Sequence, residues 1–356
     1  MISKNSPISG ELNEDLIEKG KSKKTERIIL IVFAAIVLLL VGIRTFNAHR
    51  FHLEKRTRFM MDTYVTIYAV GPESATVPVI NKALDRMQVI DKKFNHLNPE
   101  SPIYAFNRKG VPISDKEIID LVSIALDVAR KSNGAFDITI LPLAELWGFY
   151  GDDTPHIPQD NEIKKSLSFT GYDFLNVENG VLTKILKNVR IDLGGIAKGY
   201  AISEAVKVFR KAGIKSALID AGGDVYALGK RGNKLWRVGI RDPRGEGLLG
   251  YLEVEDLAVV GSGDYERFFT ADGKKYHHIF DPKTGYPAEG LSGITLLNPD
   301  PLMADAWNTA LFVMGPEKAL NMVEKIPDME TILVTTEGEV SYSSGLKDEL
   351  KVFSDN

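Results

Sequence analysis

The stretch Asp192-Leu193-Gly194-Gly195-Ile196-Ala197-Lys198-Gly199-Tyr200 joins a short segment in which apolar and charged residues alternate to a segment with helically spaced apolar residues. The pattern predicts a strand over 189–193 that turns at the two glycines into a helix over about 197–211. Amides at a helix start and the Lys198 ammonium favour a phosphate, and glycine carbonyls can face a cation. The stretch therefore fits an anion-binding junction as well as it fits an ordinary strand-to-helix turn.

The segments on either side mix helices with short strands. Alternation in TYVTIYAV predicts a strand over 63–70, and helical spacing predicts helices over 79–94 and 118–131. Downstream, glycine-rich turns typical of hairpins separate the runs ALIDA, VYALG, WRVGI, YLEVE and AVVGS. Helices before and between hairpins predict an α+β fold with antiparallel sheets rather than a doubly wound parallel one.

The residues before this domain carry a membrane signal. An uninterrupted apolar run covers 28–43, and with Thr45 and Phe46 it approaches the roughly 20 residues that span a bilayer. No small-residue cleavage site follows, which favours an uncleaved anchor over a cleaved signal peptide. We predict a disordered tail at 1–27, a single transmembrane helix at 28–46, a linker at 47–58 and the globular domain at 59–356.

Charge predicts the orientation of this anchor. Five basic residues precede the span, namely Lys19, Lys21, Lys23, Lys24 and Arg27. Basic residues concentrate on the cytoplasmic side of a membrane helix, so the N-terminus is expected in the cytoplasm. The domain is then expected on the periplasmic or extracellular side of the inner (cytoplasmic) membrane.

The composition, and a glycine motif that stands outside its usual strand-to-helix context, exclude several functions. A net charge of -4 provides no basic field for nucleic acid, so no nucleic-acid partner is predicted. The chain has no cysteine, which excludes disulfides, thiolate metal sites and a cysteine nucleophile. Residues 245–250 match G-x-G-x-x-G but follow a proline turn and lead into a strand-like run, which indicates a hairpin loop.

Two further segments carry candidate site residues. Asp305 and Thr309 lie one turn apart in the predicted helix MADAWNTALFVMG, so both oxygens project from one face. They fit a hard cation such as Mg²⁺, with a polar helix face as the alternative. The apparent strand YHHIFDP contains His277 and His278, which alternation sends to opposite faces. Either imidazole can serve as a base while the other is structural.

Taken together and in this order, the segments resemble the ApbE family of FAD:protein FMN transferases. The resemblance runs from Phe59 to about Gly315. It is carried by these blocks: Met60-Met61-Asp62-Thr63, GAFDIT at 134–139, DLGGIAKGYA at 192–201, ALIDAGGDVYALG at 217–229, WRVGIRDPR at 236–244, SGDYERFF at 262–269, YHHIFDPKTGYP at 276–287 and ADAWNTALFVMG at 304–315.

The resemblance implies roles for individual positions. The residues expected to contact FAD are Met61, Ala135, Phe136, Asp137, Asp192, Lys198 and His278. The expected Mg²⁺ ligands are Gly195, through its carbonyl, together with Asp305 and Thr309. Catalysis is assigned to His278, near the reacting phosphate, and to Asp305, with His277 as the competing base.

The resemblance also implies an activity. Proteins of this family transfer the FMN half of FAD to a threonine hydroxyl of an acceptor protein and release AMP, with Mg²⁺ as cofactor. Acceptors are subunits of membrane redox complexes of the Nqr (sodium-pumping NADH:quinone reductase) and Rnf types, which suits a membrane anchor. The alternatives are an FAD pyrophosphatase, in which water replaces threonine, and a non-catalytic FAD-binding protein.

The sequence departs from the family pattern at four positions. Asp62 stands where relatives often have glycine, and Asn95 stands where serine is common. Ser203 and Gly261 replace an aspartate and a threonine that are frequent in relatives. These departures affect the expected loop and ligand contacts more than the family resemblance.

Overall fold

The computed structural model describes residues 27–42, 52–151, 154–346 and 351–352. The chain divides into two units, Met1–His52 and Leu53–Asn356. In the first unit, residues 27–42 form helix α1. No helix among the described residues has both the length and the apolar character needed to cross a membrane. The predicted anchor at 28–46 extends past α1 into residues 43–46, which lie outside the described residues, as does the predicted tail apart from Arg27.

An eight-stranded antiparallel sheet forms the centre of the second unit. Its strands are β1 Leu53–Met60, β2 Thr63–Val70, β5 Ala217–Ala221, β6 Asp224–Leu228, β9 Leu257–Gly263, β12 Leu291–Asn298, β13 Glu330–Thr335 and β14 Val340–Tyr342, in the order β1-β2-β5-β6-β9-β12-β13-β14. Three small antiparallel sheets contain β3 Leu175–Glu178 with β4 Val181–Lys184, β7 Trp236–Arg241 with β8 Leu248–Val254 and β15 Lys351–Val352, and β10 Phe268–Ala271 with β11 Lys274–His277. The predicted α+β fold with antiparallel sheets is confirmed.

Helices cover one face of the large sheet. They are α2 Glu73–Phe94, α3 Pro102–Lys109, α4 Lys116–Lys131, α7 Gly194–Lys211, α8 Pro301–Met314 and α9 Pro316–Val323, whereas α5 Leu141–Leu146 and α6 Asp160–Leu167 pack in a separate small core around Trp147 and Phe280. The main apolar core lies between these helices and the sheet. A smaller core lies between β7, β8 and the opposite face, around Trp236, Val238 and Leu252. Apolar burial on both faces stabilises the sheet and fixes its register.

The crossing of α7 and α8 positions the candidate site. A Cβ atom added to Gly199 of α7 would lie 2.3 Å from the Pro301 carbonyl oxygen and 2.6 Å from the Asp305 Cβ of α8. No side chain fits in that space, so the helices touch backbone to backbone. This contact places Lys198 of α7 beside Asp305 of α8.

Most predicted elements are present, but two boundaries differ. The predicted strand at 189–193 is wrong, because the Asn107 amide bonds both the backbone nitrogen and oxygen of Ile191 where a neighbouring strand would pair. Helix α7 begins at Gly194 rather than at residue 197. Strand β1 starts at Leu53, within the stretch assigned to the linker, because its alternate residues pack inward beneath α2. Residues 242–247 join β7 to β8, so the hairpin loop predicted at 245–250 is confirmed for residues 245–247, whereas residues 248–250 begin β8.

Candidate active site

Two cavities share a wall at the N-terminal end of α7. The larger has a volume of about 540 Å³ and is bounded by the β1–β2 turn, the end of α2 and β7. The smaller has a volume of about 150 Å³ and lies among the 135–140 segment, the end of β11 and the middle of α8. Both are lined by Tyr150, Asp192, Gly194, Lys198, Glu266 and Arg267.

All the residues expected to contact FAD or Mg²⁺ line these cavities. The smaller cavity is lined by Ala135, Phe136, Asp137, Asp192, Gly195, Lys198, His278, Asp305 and Thr309. Met61 lines the larger cavity, where the β1–β2 turn forms part of the rim. Segments far apart in sequence therefore meet at one place, as expected of a site rather than of unrelated turns.

Asp305 is the most deeply placed carboxylate of the smaller cavity. Its side chain is 5% exposed, and its Oδ2 accepts a 2.7 Å hydrogen bond from the Gly199 backbone N–H. Burial and the nearby Asp224 charge raise the pKa of Asp305, although Lys198 and the Gly199 amide act in the opposite direction. A cation at this carboxylate would relieve both effects.

The donors around Asp305 fit a magnesium ion. Thr309 follows Asp305 by one helical turn, and a Cβ atom on Gly195 would lie 3.4 Å from the Thr309 Oγ1. Gly195, Asp305 and Thr309 all line the smaller cavity, so a glycine backbone, a carboxylate and a hydroxyl border the same small space. Among the described residues no three His, Asp or Glu side chains cluster as metal ligands. A few protein oxygens completed by water and substrate phosphate are what Mg²⁺ accepts.

Lys198 is ion-paired within the protein. Its ammonium contacts the carboxylate of Asp224, a residue 1% exposed at the start of β6. Burial lowers the pKa of Lys198, but the charges of Asp224, Asp305 and Glu266 outweigh it and hold that pKa above its ordinary value. Sequence reasoning missed Asp224, which lies within the block ALIDAGGDVYALG directly after the glycine pair.

Arg267 is a second site residue that sequence reasoning missed. Its guanidinium lies 5.3 Å from the centre of the Tyr150 ring, and Tyr150 donates a 2.8 Å hydrogen bond to Asp192 Oδ2. Within the described residues Arg267 forms no ion pair with a carboxylate, unlike Lys198. It belongs to the shared wall, so its charge is available to a ligand that spans both cavities. The family block SGDYERFF contains Arg267 and could have identified it as a site residue.

Asp137 shapes the smaller cavity through its hydrogen bonds. Its Oδ1 accepts bonds from the Thr139 backbone N–H at 2.8 Å and hydroxyl at 2.6 Å, and its Oδ2 accepts from the Tyr172 N–H at 2.7 Å. Burial raises the pKa of Asp137 against the effect of these donors. Both oxygens are thus engaged in holding the turn that presents Ala135 and Phe136 to the cavity.

The two histidines have different surroundings. His277 is 5% exposed, its Nε2 donates to the Ala288 carbonyl at 2.9 Å, and its Nδ1 accepts from the Ile279 N–H at 3.3 Å. His278, just past the end of β11, lines the smaller cavity, and its Nδ1 lies 3.3 Å from the Arg267 carbonyl. With Nδ1–H donating to that carbonyl, His278 has a free Nε2 lone pair. Burial, then Arg267, lower the pKa of His278 to about 3, so its imidazole is neutral.

Each of the four positions that depart from the family pattern has a defined backbone conformation or hydrogen bond. Met61 and Asp62 have φ angles of 54° and 57°, a conformation that suits glycine and that aspartate tolerates better than most residues. Asn95 accepts a 2.8 Å bond from the Leu97 N–H. Gly261 donates its N–H to Asp224 Oδ1 at 3.3 Å. The Ser203 hydroxyl contacts Asp300 Oδ1 at 3.3 Å, outside both cavities.

The two cavities bring the cationic side chains of Lys198 and Arg267 together with the oxygen-bearing side chains of Asp305 and Thr309. The profile of the ApbE family matches residues 61–333. A Treponema pallidum protein named FAD:protein FMN transferase is 31% identical over 81% of this chain and 85% of its own length. The chain belongs to the ApbE family.

Solved structures of the family have the same fold. The ApbE protein from Thermotoga maritima superimposes with a TM-score of 0.78 at 34% identity, over 83% of this chain and 98% of that one. The flavinyl transferase ApbE of Pseudomonas stutzeri, in its apo form, gives a TM-score of 0.76 at 27% identity, over 86% and 99% of the two chains.

Proposed function

We propose that this protein is an FAD:protein FMN transferase that uses Mg²⁺ to move FMN from FAD to a threonine hydroxyl of an acceptor protein, releasing AMP. The observation that carries the proposal is the meeting of Asp305, Thr309, Lys198 and His278 at one small cavity that shares a wall with a larger one. A dinucleotide with a pyrophosphate at its centre suits two joined cavities. The names of the relatives supply the flavin and the acceptor protein.

The protein's own residues have distinct parts in this reaction. Asp305 and Thr309, with the Gly195 carbonyl, would hold Mg²⁺, which supplies charge neutralisation at the phosphates when bound. Lys198 and Arg267 bring positive charge to the shared wall, where the pyrophosphate would lie. His278 offers its Nε2 lone pair to the threonine proton, and Phe136 with its apolar neighbours excludes water from the smaller cavity.

The proposed setting of the reaction rests on the N-terminal sequence. We infer that residues 28–46 anchor the chain in the inner (cytoplasmic) membrane and that the domain works on the periplasmic or extracellular side. The acceptors would then be flavin-carrying subunits of Nqr- or Rnf-type membrane complexes. An apolar run preceded by five basic residues supports this inference.

The amounts of AMP, free FMN and labelled acceptor that are formed test the activity. The full-length chain is incubated in detergent with FAD, Mg²⁺ and the soluble flavin-acceptor domain of an Nqr complex, and nucleotides are separated by chromatography. We expect one AMP per labelled acceptor and little free FMN. Equal amounts of free FMN and AMP, with or without acceptor, would establish a pyrophosphatase instead, and tightly retained FAD without products would indicate a binding protein.

The two histidines are expected to respond oppositely to substitution. His278→Asn should lower the transfer rate roughly a hundredfold or more, the usual range for a lost general base, with little change in thermal stability. His277→Asn should lower stability by about 1–3 kcal/mol, because two buried hydrogen bonds are disturbed, while folded enzyme stays active. Transfer kinetics and thermal unfolding of each variant check this. A stable but inactive His277 variant would reverse the assignment.

Arg267 is expected to bind the phosphates. Arg267→Ala should lower kcat/KM for FAD about tenfold to a hundredfold, the effect of one charge-assisted hydrogen bond, and Arg267→Lys should restore part of it. Arg237→Ala is the matched control, since that guanidinium also lies over a tyrosine, 5.0 Å from the Tyr251 ring centre, but lines neither cavity. If both alanine variants behave alike in steady-state kinetics, Arg267 has no role at the phosphates.

A further inference from the structure

The β1–β2 hairpin carries an exposed aromatic pair on either side of the turn that lines the larger cavity. Phe59 and Tyr64 face each other across the two strands, with ring centres 5.4 Å apart and planes at 72°. Their side chains are 60% and 69% exposed, which makes them the most exposed aromatic residues among those described in the second unit. Exposed apolar clusters of this kind mark sites where another molecule binds.

The hairpin turn is held firmly and forms part of the cavity. Strand pairing continues to Met60 and Thr63, so the turn consists of Met61 and Asp62, and these residues with Thr63 line the larger cavity. Thr63 packs so closely on Gly222 that a Cβ atom there would lie 2.2 Å from its Oγ1. The aromatic pair therefore flanks a turn that packs closely against Gly222 and lines the cavity.

We propose that Phe59 and Tyr64 dock the acceptor protein, through an apolar side chain close to the hydroxyl that receives FMN. This inference rests on the proposed function, which requires a protein hydroxyl to enter the cavity past its rim. Residues 61–63, between Phe59 and Tyr64, line that cavity, as does Leu97, which is itself 47% exposed. Tyrosine and other aromatic side chains supply much of the binding energy in protein interfaces.

The test uses the double variant Phe59→Ser, Tyr64→Ser in the full-length chain. Labelling of the soluble Nqr acceptor domain is measured over a range of acceptor concentrations at saturating FAD and Mg²⁺. The KM for the acceptor should rise about tenfold or more, the effect of losing an interface hot spot, while kcat changes less than about twofold. FAD affinity, measured by flavin fluorescence, should stay unchanged.

Tyr342→Ser is the matched control, because Tyr342 is 43% exposed on β14, at the opposite edge of the same sheet. It should leave the acceptor KM unchanged. An unchanged KM in the double variant would overturn the proposal. If that variant also lost self-association, the pair would be assigned to contact with a second copy of the chain. If it lost binding to phospholipid vesicles, the pair would be assigned to the membrane. Absence of labelling by the unmodified protein would instead refute the proposed function, and the docking site with it.

Discussion

Asp305→Asn is expected to reduce FMN transfer by roughly two to three orders of magnitude, because a metal-bound charge stabilises the transition state by several kcal/mol. Asparagine retains the shape of the side chain and an oxygen that can accept the 2.7 Å bond from the Gly199 N–H. The substitution therefore removes the charge without disturbing the α7–α8 contact.

Stability measurements separate this effect from misfolding. Burial raises the pKa of Asp305, which means that its negative charge destabilises the metal-free protein. Replacing it by neutral asparagine should therefore change metal-free stability by less than about 1 kcal/mol. Added Mg²⁺ should raise the unfolding temperature of the unmodified protein but not of the variant. A variant that keeps transfer within fivefold and is still stabilised by Mg²⁺ would remove Asp305 from the metal site.

Gly199→Ala is expected to have the largest effect on stability. The added Cβ would lie 2.3 Å from the Pro301 oxygen and 3.0 Å from the Leu302 Cα, so backbone atoms must move apart. Overpacking against backbone should cost about 3 kcal/mol or more, a fall in unfolding temperature of at least roughly 5 °C for a domain of this size. Transfer should fall as well, because separating the helices displaces Asp305.

Gly247→Ala is the control for this substitution. A Cβ atom at Gly247, in the β7–β8 loop, meets no heavy atom within 4 Å. Its stability should stay within about 0.5 kcal/mol of the unmodified protein in the same thermal unfolding experiment. Equal stability of the two alanine variants would show that α7 and α8 do not make the close contact described.

Hydrophobic periodicity correctly predicted the helices and strands that bury one face against the core. The alternation in β2 and the helical spacing in α4 and α8 follow directly from packing against the core. The alternating segment 189–193 resembles a strand for the same reason, yet its backbone hydrogen-bonds to the Asn107 side chain, a partner that no local pattern could supply. Residues 53–58 of β1 fall within the predicted linker, and the charged Glu54, Arg56 and Arg58 on the inward face of the strand hide its alternation.

The candidate site was predictable only in part. The family blocks identified the residues that line the smaller cavity, but not the partners that set their charge. Asp224 pairs with Lys198 across the start of β6, and Arg267 reaches the shared wall from the loop before β10, so both depend on tertiary contacts. The adjacent histidines were equivalent in sequence and differ because β11 ends between them.

The intact mass of the acceptor tests the central claim most directly. The soluble flavin-acceptor domain of an Nqr complex is incubated with the full-length chain, FAD and Mg²⁺, and its mass is measured before and after. We predict a mass increase equal to one FMN, located on one threonine by peptide mapping, absent with chelator or with Asp305→Asn. An acceptor of unchanged mass, while FAD is consumed, would contradict the account.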